Sequence, residues 1–111
     1  MKENKVYLDH ILDCINNILA YTDGMDEDSF YKNFMVQDAV VRNFQIIGVA
    51  TKRINPDFNT SHPGVPWRKM TAMRDKLVHD YFQVDLETVW NTVVNDIASL
   101  LIELKEIHSK L

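Results

Sequence analysis

The chain has 111 residues, of which 46% are hydrophobic and 25% charged, and its formal net charge is −4. That length holds one domain around one core, and the composition excludes wholesale disorder. No window approaches the roughly eighteen uninterrupted apolar residues of a membrane span, and the single cysteine, Cys14, excludes an intrachain disulfide framework and gives no metal cluster.

The first helix is predicted from about Lys5 to Tyr21. Its apolar positions, Tyr7, Leu8, Ile11, Leu12, Ile15, Ile18 and Leu19, fall on one stripe of 3.6-residue period. Asp9 and Asp13 interrupt this segment, so it does not read as a signal-peptide core, and the simplest placement is the cytoplasm. Thr22-Asp23-Gly24 ends the helix, with Gly24 able to take a left-handed cap conformation. Asp26 or Asp28 then caps a short turn through Phe30, Tyr31 and Phe34.

A second long helix is expected from Val36 to Ile54. Val36, Ala39, Val40, Phe44, Ile47, Ala50, Thr51 and Ile54 form its stripe, and Val41, Ile46 and Val49 widen it, as suits a central helix. Gly48 in its interior points to close approach of another backbone, since glycine there otherwise costs about 1 kcal/mol relative to alanine. Residues 55–64 are rich in turn formers and read as one long loop. Pro66 suits the first turn of a third helix, from Pro66 to Val78, on which Trp67, Met70, Met73, Arg74 and Leu77 share a side. A fourth helix runs from Leu86 to Leu111 behind an Asp85 cap. Its seam, Leu86, Trp90, Val93, Ile97, Leu100, Leu104, Ile107 and Leu111, alternates steps of four and three. No segment has a strand pattern. The expected fold is an all-α antiparallel bundle of four or five helices, one domain over residues 1–111. The surplus apolar residues Val89, Val94 and Leu101 suit either the core or a second copy of the chain.

Charge is unevenly spread. From Arg42 to Lys76 there are seven lysines and arginines against two acids, Asp57 and Asp75, while the remainder carries five bases and fourteen acids. Such a basic middle can present a local anion site without general polyanion affinity. At its end stands Arg74-Asp75-Lys76-Leu77-Val78-His79-Asp80-Tyr81, an Arg-x-x-x-x-His-x-Tyr pattern. A permanent cation, a group that trades protons near neutral pH and a hydroxyl nucleophile suit work on a phosphate. Taken singly, each residue has a plainer reading: Arg74 in a surface ion pair with Asp75, Asp80 or an acid on a neighbouring helix, His79 at a helix C-terminus favoured by the macrodipole, Tyr81 as a half-buried aromatic. On an ideal helix Arg74 and His79 stand about 140° apart. They converge if the helix ends near Val78 and His79 swings over its last turn, or if two copies meet at a dimer cleft. His10, His62 and His108 lie in no ligand spacing with one another and read as surface or loop residues.

The order and spacing resemble the signature of the HepT toxins of the HEPN superfamily. The resemblance covers nearly the whole chain. Ile46-Ile47-Gly48-Val49-Ala50 resembles the family's Ile-Ile-Gly-Glu-Ala stretch, with Val49 where glutamate is usual. The Trp67 to Asp75 segment is similar to its third helix, and Tyr81-Phe82 through Trp90 to its entry into the fourth. The resemblance implies a dimeric, metal-independent ribonuclease toxin with no cofactor, whose RNA cleft is shared between two subunits. It implies Arg74 and His79 as catalytic residues, and Asp75 stands at the polar position after the arginine. It further implies a nucleotidyltransferase antitoxin that modifies Tyr81 with AMP. RNA needs only a proton acceptor and a cation, because its 2′-hydroxyl can attack the adjacent phosphate. An anionic adenylyl group on Tyr81 would compete with RNA phosphate for Arg74, and Asp80 would help keep His79 protonated. The competing expectation is a non-catalytic helical subunit that docks a nucleotidyltransferase and holds nucleotide phosphates, and the plainest one is a dimeric bundle without chemistry.

Overall fold

A computed structural model describes residues 2–79 and 85–111. Among them are seven α-helices and no strand: α1 (Lys2–Thr22), α2 (Glu27–Lys32), α3 (Phe34–Arg53), α4 (Pro56–Ser61), α5 (Trp67–His79), α6 (Leu86–Asn95) and α7 (Ile97–Ser109). The all-helical expectation is borne out. Leu8, Ile11, Ile15 and Ile18 of α1 are buried at steps of three and four, with Cys14 buried beside them. Gly24, at φ 74°, turns the chain after Thr22, and the Met25 amide closes the turn on the Thr22 carbonyl at 3.0 Å.

Asp26 forms a reciprocal capping box with Ser29: its carboxylate accepts from the Ser29 amide at 2.8 Å, and its own amide donates to Ser29 Oγ at 3.0 Å. Phe30 of α2 is fully buried and stacks on Trp90 of α6 with ring centroids 5.0 Å apart. The turn does not continue through Phe34 as expected. Asn33 ends α2 and caps α3, accepting from the Val36 amide at 3.1 Å, so Phe34 opens α3 and stays largely exposed. Gln37 fastens the joint by donating from Nε2 to the carbonyls of Phe30 (2.9 Å) and Tyr31 (3.0 Å).

α3 is the central helix. It runs antiparallel to α1, because Asn4 near the start of α1 accepts from the Asn55 amide beyond the end of α3, and Asn17 near the end of α1 bonds to Asn43. The expected loop over residues 55–64 is instead partly helical. Asn55 accepts from the Asp57 amide at 2.8 Å, Pro56 occupies the first turn, and Phe58 packs against Trp67 with centroids 6.3 Å apart. Turn formers and a capped short helix draw on the same residues, and the Phe58 anchor decides between them.

The single fourth helix is also corrected. It breaks at Asp96 into α6 and α7. Thr92 Oγ1 bonds back to the Thr88 carbonyl at 2.8 Å, a contact that bends helices, and Asn95-Asp96 favour local hydrogen bonding over helix interior. Register survives the break: the Asp96 amide reaches the Thr92 carbonyl and the Leu100 amide reaches that of Asp96, each at 3.0 Å. Trp90, Val93, Ile97, Leu100 and Leu104 are therefore all buried. Asp85 caps α6 as expected, accepting from the Thr88 amide at 3.1 Å and Thr88 Oγ1 at 2.7 Å. Of the surplus apolar residues, Val89 belongs to the core and Leu101 packs against it, while Val94 stays 57% exposed. Among the described residues no helix is long and apolar enough to cross a membrane.

Candidate functional site

α5 packs against α3, burying Trp67, Met70 and Leu77, and Met70 and Arg74 face Gly48 of α3. The contact there is unusually close. A Cβ added at Gly48 would stand 2.0 Å from Arg74 Cβ, 2.6 Å from Arg74 Cγ and 3.3 Å from the Met70 carbonyl. Only the absent side chain of Gly48 lets the arginine stem lie on α3. The close backbone approach inferred from the Gly48 position is thus present, and it seats Arg74.

The guanidinium leaves this seat at the helix edge with the side chain 31% exposed. Its Nη1 donates to Asp75 Oδ1 at 3.1 Å, and its buried Nε has no partner among the described residues. Lys52, four residues after Gly48 and so on the same face of α3, donates from Nζ to that same Asp75 Oδ1 at 2.7 Å. Two cations therefore share one carboxylate oxygen. The Lys52 hydrogen bond, followed by that of Arg74, holds the Asp75 carboxyl below the usual carboxylate range. Lys52 is the residue the motif did not reveal. Its only signal was the four-residue spacing from Gly48.

The expected surface ion pair of Arg74 with Asp75 is present, so the structure brings these two motif residues together and adds Lys52. α5 spans Trp67–His79, within one residue of the expected bounds at each end. The His79 side chain, Asp80 and Tyr81 lie outside the described residues. Beyond that stretch, Lys76 Nζ stands 3.8 Å from the Asp85 carboxylate and links α5 to the start of α6.

The family model described as "Ribonuclease HepT-like" matches residues 11–107, which contain Gly48, Lys52 and the entire Arg74–Tyr81 motif. The chain belongs to the HepT-like ribonuclease family. It is 43% identical over 89% of its length to a protein of Thermococcus cleftensis provisionally named ribonuclease HepT, covering 90% of that protein. It is 37% identical over 96% of its length to a protein of Methanocaldococcus jannaschii provisionally named an RNase, covering 88% of it. A similarly named protein of Caldanaerobacter subterraneus is 36% identical over 99% of the chain, with 98% of the relative covered. No solved structure gave a significant match.

In this HepT-like chain Val49, the departure from the Ile-Ile-Gly-Glu-Ala pattern, is partly exposed beside the Gly48 seat. It therefore offers no carboxylate to Arg74 or Lys52. A cavity of about 380 Å³ lies on the other flank of α5, lined mainly by apolar side chains including Ile47, Met70, Met73 and Leu100. Arg74, Asp75 and Lys52 are not among its lining residues. No group of three His, Cys, Asp or Glu side chains among the described residues is placed to hold a metal ion.

Proposed function

We propose that this HepT-like protein is a homodimeric endoribonuclease toxin that cleaves RNA without a metal ion and is silenced by a nucleotidyltransferase antitoxin that AMPylates Tyr81. The observation that carries the reading is the seat of Arg74 over Gly48, inside the region matched to the ribonuclease family. A guanidinium fixed by its stem and exposed at its tip suits bidentate contact with a phosphate.

In the proposed reaction the 2′-oxygen attacks the adjacent phosphorus and its proton passes to His79. The bond from phosphorus to the 5′-oxygen breaks, that oxygen takes a proton, and a 2′,3′-cyclic phosphate remains. Arg74 stabilises the charge that builds on the phosphoryl oxygens, while a positioned acid or base typically contributes about 10²–10⁴-fold. Helical positions 74 and 79 are about 140° apart, and α5 is helical through both. That separation favours a cleft shared between two copies over a site within one chain. The His79 that took the proton can return it to the departing 5′-oxygen.

The test is RNA cleavage by the purified protein in EDTA. Arg74→Ala and His79→Ala should each abolish cleavage while keeping the helical circular-dichroism signal. Cleavage that survives both substitutions removes this mechanism, and saturable nucleotide binding without any cleavage would favour the non-catalytic docking subunit. Co-expression with a nucleotidyltransferase encoded beside it should add AMP to the intact mass, at Tyr81. An unmodified Tyr81 under active conditions counts against the antitoxin relation.

A further inference from the structure

We infer that Lys52 is a positioning residue of the ribonuclease site, which engages the Asp75 carboxylate and so leaves the Arg74 guanidinium its positive charge for the RNA phosphate. The inference rests on the reading of Arg74 as the phosphate-binding cation. It starts from a difficulty in that reading. A carboxylate directly after the arginine, bonded to its Nη1 at 3.1 Å, offsets the very charge the phosphate needs. It would also repel the incoming anion.

Lys52 resolves the difficulty by geometry. Its Nζ stands 2.7 Å from Asp75 Oδ1, nearer than the guanidinium, and binds the same oxygen. Arg74, Asp75 and Lys52 together carry one net positive charge, whereas Arg74 and Asp75 alone carry none. The guanidinium commits a single donor to the carboxylate among the described residues and keeps others for a phosphate. Placement of Lys52 follows from the fold: it lies one helical turn beyond Gly48, so the approach that seats Arg74 also carries Lys52 to α5. Asp75 then keeps a use of its own, as a fixed acceptor that orients the guanidinium from one side. Both Lys52 and Asp75 are nearly half exposed, so the arrangement serves electrostatics more than the core.

The test is a double-mutant cycle on the full chain with Lys52→Met, Asp75→Asn and the pair, alongside Lys52→Arg and Arg74→Ala. Cleavage of RNA and binding of a 2′-O-methyl oligonucleotide, which keeps the phosphates but cannot be cleaved, are both measured. The second readout reports even where Asp75→Asn is inactive. Lys52→Met should lower kcat/KM about tenfold and Lys52→Arg should restore most of it. With Asp75→Asn in place, Lys52→Met should have no further effect in either readout, because there is no carboxylate left to engage. An equal loss in both backgrounds would mean that Lys52 meets the RNA directly, and would overturn the inference. So would full activity of Lys52→Met beside an inactive Arg74→Ala, with the ribonuclease reading intact. An active Arg74→Ala would instead sink the underlying reading. Thermal melts confirm that each variant is folded.

Discussion

Gly48 and Arg74 illustrate how one missing side chain governs a charged one. Alanine at position 48 would gain about 1 kcal/mol of helix propensity, yet its Cβ would lie 2.0 Å from Arg74 Cβ. The clash is with the root of the arginine, so rotamer changes cannot relieve it and α5 must shift. Overpacking of this kind typically costs about 1–3 kcal/mol. Gly48→Ala should therefore lower the melting temperature and, by displacing the guanidinium, weaken RNA cleavage. A melting temperature equal to or above that of the wild type would show that the helices are not in this contact. Asp75 gives a second prediction. Its carboxyl titrates below the ordinary aspartate value of about 3.9 because Lys52 and Arg74 bond to the ionised form. Any stability it contributes is present above that ordinary value and is lost as pH falls through the lowered one. The difference in melting temperature between wild type and Asp75→Asn should accordingly be open at pH 7 and close in more acidic buffer. A gap that persists there would mean that charge is not its source.

Among the helices, the joint between α2 and α3 depends on side-chain donors. Gln37 is buried and gives both Nε2 hydrogens to carbonyls at the end of α2. Gln37→Leu would leave those carbonyls without that donor, at a cost of about 1–3 kcal/mol, and should lower the denaturation midpoint. An unchanged midpoint would assign the joint to the Asp26 capping box and the Phe30–Trp90 stack alone. Legibility from sequence follows the same division. The stripes of α1 and α3, the Gly24 stop and the Asp85 cap depend on residues within a turn or two of each other, and they could be read. α4 could not, because Asn55, Pro56 and Asp57 suit a turn or a short helix equally until Phe58 meets Trp67. Nor could the break at Asp96, since the seam keeps its spacing across it and hydrophobic periodicity records spacing alone. Arg74 and Asp75 were legible as neighbours in a motif. Lys52 belongs to them only through the register of α3 on α5, which no local pattern contains.

For the whole molecule the open matter is how many chains make one site. Under the proposed dimer, the arginine of one subunit works with the histidine of its partner. Arg74→Ala and His79→Ala proteins, each inactive alone, should then recover cleavage when mixed and allowed to exchange subunits. No recovery, with exchange verified, would place Arg74 and His79 of one site in the same chain. The Gly48 seat bears on this at the level of the genome as well. Because the arginine stem occupies the space of the missing Cβ, a larger residue at 48 either pushes α5 away or requires position 74 to give up its stem, and with it the guanidinium. The dependence runs one way: position 74 can be shortened over the glycine, but position 48 cannot be enlarged while the arginine keeps its seat.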